Sequence, residues 1–394
     1  TATQITPEIQ LNIPIISSNM DTVTEAAMAV EMARAGGIGI IHRFLTIERQ
    51  VAEVSRVKRA ESFRVDDPVT SLPETPLKEA IAQMRERETS GLVVVDGGGR
   101  LAGILTHRDL DLAEDLSGTV ASLMTPRDRM VTGSPSITRD EARKLLHQHR
   151  IEKLPLLDES GKLVGLITAR DILKERLHPH ASKDKRGRLR VGAARGVRSD
   201  DLDRAERLLQ VGCDLLVVDI AHGHSDLAIN MVKNLAERFP GVQIMAGNVV
   251  TPEGVADLAK AGAHSIKVGV GSGSICTTRL VAGSGYPQLS ALMECAPAAA
   301  KHGVTIISDG GTRTSGDLTK AIAAGAHCAM LGSSLAGTNE APGASVVRDG
   351  RRFKVVRGMA SLTANVGRKE VDKGQVADDE WEKVVPEGVE AVVP

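Results

Sequence analysis

The sequence predicts an α/β protein, a barrel of eight parallel strands and eight helices into which a smaller α+β domain is inserted. Three observations carry this. Short apolar runs alternate with amphipathic stretches over most of the chain, the rhythm of a parallel sheet with helical crossovers. The runs number eight, at residues 13–17, 38–41, 190–194, 214–219, 243–247, 265–269, 304–309 and 327–332. The rhythm breaks only once, after the second run, where residues 67 to 177 repeat themselves.

Composition sets the limits. At 394 residues the chain has length for two domains, and 42% hydrophobic residues supply a core. Only 2% are aromatic, so that core is aliphatic. A net charge of −1 excludes a nucleic-acid surface as the main business. No apolar run approaches the roughly 18 residues of a membrane helix, and no signal peptide is visible, so a cytoplasmic protein without membrane partners is expected. Four cysteines without CxxC spacing fit a reducing compartment. A start at Thr1 and an end at Pro394 suggest that both termini are trimmed.

Helices are predicted at 25–35, 50–59, 201–211, 225–238, 252–261 and 314–324, between the apolar runs. Eight strands alternating with helices is the count of a (β/α)8, or TIM, barrel. The expected division is 1–66 barrel, 67–181 inserted module and 182–394 barrel, with a flap over about 356–390. Residues 178–190 read as a charged, solvated connector rather than a phosphate patch.

Within the insertion, Gly91-Leu-Val-Val-Val-Asp96 and Gly103-Ile-Leu-Thr-His-Arg-Asp109 are echoed by Leu154-Pro-Leu-Leu-Asp158 and Gly165-Leu-Ile-Thr-Ala-Arg-Asp171. Each copy reads helix, strand, turn, strand, helix. This resembles a tandem pair of cystathionine-β-synthase (CBS) motifs. The resemblance implies that Thr106, Asp109, Thr168 and Asp171 contact a regulatory nucleotide, ATP or GTP. Helix capping explains the same residues equally well.

Loops after barrel strands converge on one face, where catalytic sites are built. They present Ser17 to Asn19, Asp219, Asn248 and the stretch from Gly269 to Arg279. Asp309-Gly310-Gly311 and Gly332-Ser333-Ser334 follow the last two strands. The sixth loop carries Gly269, Gly271 and Gly273 ahead of Cys276; taken alone, it is equally a glycine-rich turn with an incidental thiol. The last two loops stand where such barrels hold phosphate. Asp309 is placed to accept both hydroxyls of a ribose. The residues read as a phosphorylated nucleoside held opposite a nucleophilic thiol.

The strand-end motifs are long and ordered: Asn19-Met-Asp-Thr, Gly36-Gly-Ile-Gly, Asp219-Ile-Ala-His-Gly-His-Ser, Ala246-Gly-Asn248, Gly271-Ser-Gly-Ser-Ile-Cys276-Thr-Thr, Asp309-Gly-Gly and Arg357-Gly-Met359. Together they resemble the IMP dehydrogenase/GMP reductase family over nearly the whole chain. The resemblance implies that Cys276 attacks C2 of a purine nucleoside monophosphate and that a nicotinamide cofactor exchanges hydride there. It places Ser17, Ser274, Asp309, Gly310, Gly311, Gly332, Ser333, Gly358, Met359 and Ala360 at the substrate. Asp219, Asn248 and Gly269 fall at the cofactor. Carbonyls of Gly271, Gly273 and Cys276 would bind a monovalent cation, normally potassium. A homotetramer, or an octamer paired through CBS modules, is the implied assembly.

The family runs two reactions. A dehydrogenase hydrolyses the adduct and resembles this chain in its insertion and its Val385-Pro-Glu-Gly-Val-Glu ending. It needs an Arg-Tyr base on the flap, and here Arg368 precedes Lys369 while the single tyrosine is Tyr286. Lys369 or Lys373 could stand in as base. A reductase expels ammonia with the help of a Thr-Glu pair, matched by Thr278 and Glu387. The expected activity is therefore NADPH-dependent GMP reductase. The alternatives are NAD-dependent IMP dehydrogenase and a catalytically silent CBS nucleotide sensor. The family's phosphate-contacting tyrosine is replaced by Val356.

Overall fold

The computed structural model describes residues 2–61, 64–87, 89–198, 200–373 and 384–394. It divides into two compact units, one of residues 1–60 and 180–394, the other of residues 61–179. In the first unit eight parallel strands close a barrel: β1 (Ile15–Ser17), β2 (Ile38–Ile41), β3 (Val191–Arg195), β4 (Leu215–Asp219), β5 (Ile244–Val249), β6 (Ser265–Val268), β7 (Thr305–Asp309) and β8 (Cys328–Leu331). β8 pairs with β1 and β2 with β3, which completes the ring. The predicted (β/α)8 barrel is therefore present. Its first strand starts later than expected because Asn12 and Ile13 donate to Gly36 O, 2.8 and 3.1 Å away, before the chain reaches the ladder.

Period-two alternation sorts the side chains. Ile16, Ile38, Ile40, Leu215, Val217, Met245, Ile307 and Met330 fill the lumen; Ala193, Leu216, Val218, Ile266 and Ile306 face the helices. An unforeseen N-terminal hairpin, Thr3–Thr6 with Ile9–Leu11, plugs the floor with Ile5, Ile9 and Leu11. Thr305 Oγ1 donates to Ile5 O (2.6 Å) and Thr3 Oγ1 to His327 O (2.8 Å), fastening the plug to β7 and the start of β8. Helix Gln288–His302 holds Cys295 between β6 and β7, and a small antiparallel sheet of Ser345–Arg348, Arg351–Arg357 and Glu390–Val393 is a further element absent from the sequence reading. The 180–190 stretch is no loose connector. Asp184 takes the amides of Arg186 and Arg188 and the buried ammonium of Lys58, and Leu189 is fully buried. Among the described residues no helix is long and apolar enough to cross a membrane.

The second unit carries the internal repeat. A four-stranded sheet of Thr70–Ser71, Gly91–Val95, Leu101–Thr106 and Thr125–Pro126 packs with helix Leu77–Glu86 around Leu92, Val94 and Leu105. The hairpin of Lys153–Leu157 and Leu163–Thr168 packs with helix Arg139–Gln148 around Leu154, Leu156 and Ile167. The two turns are built alike: Asp96 Oδ1 accepts from the amides of Gly98 and Arg100, Asp158 Oδ1 from those of Ser160 and Lys162, all at 2.9 Å. They also exchange bonds, Leu101 N to Gly161 O (3.3 Å) and Leu163 N to Gly99 O (3.1 Å). The repeat is thus an approximate twofold.

The barrel floor repeats a second device. Before β4, β6 and β8 the helix ends in a glycine with left-handed φ (Gly212 +90°, Gly262 +111°, Gly325 +105°). Two residues on, a side chain accepts an amide at the start of the preceding strand: Asp214 from Val191 N (2.8 Å), His264 from Ile244 N and His327 from Ile306 N (both 3.2 Å). Both histidines accept through Nδ1 and so must be neutral. Burial pushes both below the ordinary histidine value, with Glu8 pulling His264 back. A depressed folded-state value means the unfolded chain takes up protons first, so stability is complete above about pH 6.5 and declines as pH falls below it. We expect the midpoint of thermal unfolding to drop between pH 7.5 and 5.5. The drop should be smaller in His264→Asn/His327→Asn, where an amide oxygen replaces Nδ1 without titrating; an equal drop would show that these acceptors do not contribute.

Candidate active site

The loop after β6 runs through Gly269 (φ +145°) and Gly271 (φ +75°). A Cβ on Gly269 would lie 2.1 Å from Asp309 O, so only glycine lets the loop pass β7. Cys276 follows, half-buried, its amide donating to Gly273 O (3.2 Å) and its thiol to Thr278 Oγ1 (3.2 Å). The C-terminal segment holds the flanks of this thiol. Thr277 N donates to Glu387 O (2.9 Å), Val389 N to Ile275 O (3.0 Å), and Gly388 forms a bridge with Cys276. Gly358 N donates to Val389 O (3.1 Å) and Glu387 N to Ala360 O (3.0 Å), so the Arg357-Gly-Met359 turn backs the same segment. Cys276, Thr278, Glu387, Gly358 and Ala360 thus come together from three parts of the chain. The flap between them forms helix Leu362–Lys373; residues 374–383 lie outside the described part.

Beside the thiol loop is a charged cluster that sequence reading found only in part. Asp219 continues the lumen face of Leu215 and Val217, and Asp309 that of Ile307. Lys267 also points inward, because its neighbours Ile266 and Val268 point out. That alternation was the available signal for Lys267, and the reading missed it. Its Nζ contacts Asp219 Oδ1 and lies 3.3 Å from Asp309 Oδ2. Asn248 Nδ2 donates to Asp309 Oδ2 (2.9 Å) and to Gly269 O (2.8 Å), joining the cluster to the thiol loop. Both bonds to Asp309 use Oδ2, which leaves Oδ1 available. Burial alone would lower the Lys267 ammonium; the charges of Asp219 and Asp309 outweigh it and hold it above the ordinary lysine value. Burial likewise disfavours ionised Asp219, yet Lys267, Arg43 and a hydrogen bond from Asn19 keep its carboxyl below the usual range.

At the β1 and β8 ends the neighbouring serines are placed differently. Ser17 Oγ is buried, accepts from Thr24 Oγ1 (2.9 Å), and packs where a Cβ on Gly39 would lie 3.1 Å away. Ser18 is the residue turned toward β8: its Oγ has no hydrogen-bond partner among the described residues, and a Cβ on Gly332 would sit 3.2 Å from it. Gly310 (φ +92°) and Gly311 (φ +78°) turn the β7 loop against Ser272. Ser333 opens a short helix, Ser274 is exposed, and Met359 is half-buried. Val356 is fully buried with Val23 and Ala336, a core position in this chain. The next residue, Arg357, reaches Asp21 Oδ2 through Nε (2.8 Å) and Thr363 Oγ1 through Nη1 (3.1 Å), a tie between the β1 loop and the flap that the sequence did not reveal.

In the second unit Thr106 Oγ1 donates to Asp109 Oδ2 (2.7 Å) and Thr168 Oγ1 to Asp171 Oδ2 (2.5 Å), the same strand-to-helix joint in both copies. Both pairs cap helices.

The model of the IMP dehydrogenase / GMP reductase domain matches residues 1–394. The chain belongs to this family. It is 54% identical over 393 residues to inosine-5'-monophosphate dehydrogenase of Nitrosopumilus maritimus, covering 100% of this chain and 82% of that protein. It is 51% identical over 403 residues to GMP reductase of Leishmania donovani, with the same coverage. A crystal structure of GMP reductase from Trypanosoma brucei in complex with guanosine 5'-monophosphate superposes with a TM-score of 0.92 at 48% identity, over 100% of this chain and 82% of that one.

For this family member the four thiols are chemically unequal. Burial pushes Cys213, Cys295 and Cys328 up to about 12, whereas Cys276 is partly open at the rim. Brief treatment of the native protein with iodoacetamide at pH 8 should alkylate Cys276 alone, with the other three reacting only after unfolding. Peptide mass spectrometry showing equal labelling would overturn this ranking.

Proposed function

We propose that the chain is a GMP reductase, converting GMP to IMP and ammonia at the expense of NADPH. The reading rests on what surrounds the thiol. Thr278 touches Cys276, and the Glu387 backbone is hydrogen-bonded to the same loop. No Arg-Tyr pair stands on the flap; the one tyrosine, Tyr286, donates instead to Glu294 (2.7 Å). Water attack on an adduct would lack the Arg-Tyr base, while an amine leaving group would find the Thr278 hydroxyl beside the thiol and Glu387 on the adjoining segment.

In this reading the Cys276 thiolate forms a bond to C2 of the purine. The 2-amino group takes up a proton through Thr278 and Glu387, and the C–N bond breaks to release ammonia. A reduced nicotinamide, when bound, supplies hydride to C2, after which the C–S bond breaks and returns the thiolate. Asp309 receives the ribose hydroxyls through Oδ1, and Ser18, Gly310, Gly311, Gly332 and Ser333 receive the phosphate. Asp219 suits the cofactor ribose, since Lys267 and Asn19 orient its carboxylate at the rim. Among the described residues no His, Cys, Asp and Glu cluster forms a metal site. A potassium ion would use carbonyls of Gly271, Gly273 and Cys276, which lie on one glycine-rich loop. The second unit reads as a CBS pair that takes ATP or GTP at Thr106 with Asp109 and at Thr168 with Asp171. The homotetramer and the cytoplasmic setting belong to the same reading. IMP dehydrogenase is the second reading, favoured by the 54% identical relative of that name.

Purified protein should oxidise NADPH on addition of GMP, seen as falling absorbance of the reduced cofactor, and make little xanthosine monophosphate from IMP and NAD. Cys276→Ser should abolish the reaction and leave GMP binding in place. Sustained xanthosine monophosphate production without GMP-dependent NADPH oxidation would reverse the assignment. Replacement of residues 69–177 by a flexible linker should leave measurable turnover that no longer responds to ATP or GTP. A folded but inactive deletion would give the second unit a part in the chemistry.

A further inference from the structure

Lys267 stands where no mobile surface lysine could. Its side chain is 2% exposed, yet it carries its charge to the lumen rim, between Asp219 from β4 and Asp309 from β7. The ladder explains the reach. Lys267 is level with Gly247 and Ile307, and Gly247 is level with Asp219, so Asp309 lies two residues further along β7. The long lysine stem spans that step. Around the ammonium the described groups are two carboxylates, the neutral amides Asn19 and Asn248, and Arg43, whose charge acts on Asp219. Two anions are thus balanced by two cations, of which only Lys267 touches both carboxylates.

We propose that Lys267 is the positioning residue of the nucleotide site, the shared cation that aims Asp309 so that its free oxygen accepts the ribose hydroxyls. The inference rests on the reading of Asp309 as ribose acceptor. Without the ammonium, two carboxylates face one rim, and such a pair retains a proton that isolated carboxylates lose. A carboxyl of the pair that holds that proton accepts a hydroxyl poorly, because charge-assisted hydrogen bonds are roughly twice as strong as neutral ones. Lys267 then matters most at low pH and least at high pH. A lysine that merely braced strand ends would cost affinity equally at every pH.

The test is isothermal titration of the full-length protein with GMP, and in parallel with IMP, at pH 6, 7 and 8. The quantity read is the ratio of Lys267→Met to wild-type Kd at each pH, in which the ligand's own phosphate titration near pH 6 cancels. The ratio should be about tenfold at pH 6 and shrink by about threefold or more at pH 8. Lys267→Arg, which restores a cation, should keep the ratio near one throughout. The double variant Lys267→Met/Asp219→Asn removes one carboxylate of the pair and should lose the pH dependence. Where circular dichroism shows that the Met variant does not fold, Lys267→Gln replaces it. A ratio constant with pH, or wild-type affinity without the lysine, would overturn the proposal. Because GMP and IMP share the ribose, the outcome is independent of which reaction the enzyme runs. Failure of GMP-dependent NADPH oxidation bears on the proposed function alone.

Discussion

Closure of the parallel ladder is the constraint on which the rest of the molecule depends. Eight parallel strands end on one rim, which is how Asn19, Asp219, Asn248, Lys267, Cys276 and Asp309 become neighbours although they lie far apart in sequence. Closure also sets heights. The register Asp219↔Gly247↔Lys267↔Ile307 decides which carboxylate a lysine on β6 can touch and which it must stretch for. At the opposite end three strands have an amide near their start that takes a side-chain acceptor. There the chain spends an aspartate and two histidines as acceptors and plugs the opening with a hairpin.

Much of this was readable in the sequence because its signals are local. Apolar runs bounded by glycine gave the eight strands to within about two residues, a usual boundary error, and the spacing of strand-end residues gave Cys276, Asp219, Asn248 and Asp309. What stayed hidden depends on pairing over distance. Ser17 and Ser18 are adjacent and chemically identical, and only the packing of β1 against Gly39 decides which one is occupied internally. Arg357 looks like part of a turn motif until the fold brings Asp21 to it. The closing strand Glu390–Val393 is too short to announce itself, and its partner Arg351–Arg357 lies more than thirty residues earlier in the chain. Lys267 was legible in principle through alternation, but a lysine inside an apolar run invites the assumption that it faces solvent.

The C-terminal segment gives the Cys276 thiol its frame. A glycine-rich loop can approach a ligand closely, but the same freedom leaves a thiol poorly placed. Here residues 387–389 hydrogen-bond to the residues on either side of Cys276, and they are held in turn by Gly358 and Ala360. Arg357, joined to Asp21, carries that assembly back to β1. Positioning of this sort matters because a small misplacement of reacting atoms costs rate steeply. Cys276 thus gains its rigidity from the far end of the chain rather than from its own loop.

The same frame explains why overall identity is a weak guide to the direction of the chemistry. Identity of 54% to a dehydrogenase and 51% to a reductase averages over barrel and insertion alike. The fate of the adduct turns on very few groups. A positioned base contributes about 10²–10⁴-fold, equivalent to roughly 3–5 kcal/mol of barrel-independent transition-state stabilisation. Replacing an Arg-Tyr pair removes that contribution from hydrolysis and leaves the thiol, the hydroxyl of Thr278 and the carboxylate of Glu387 untouched. In the proposed reading, two positions on the flap therefore count for more than a difference of a few per cent spread over the whole chain. The proposed reductase is the outcome in which the residues nearest the bond being broken decide.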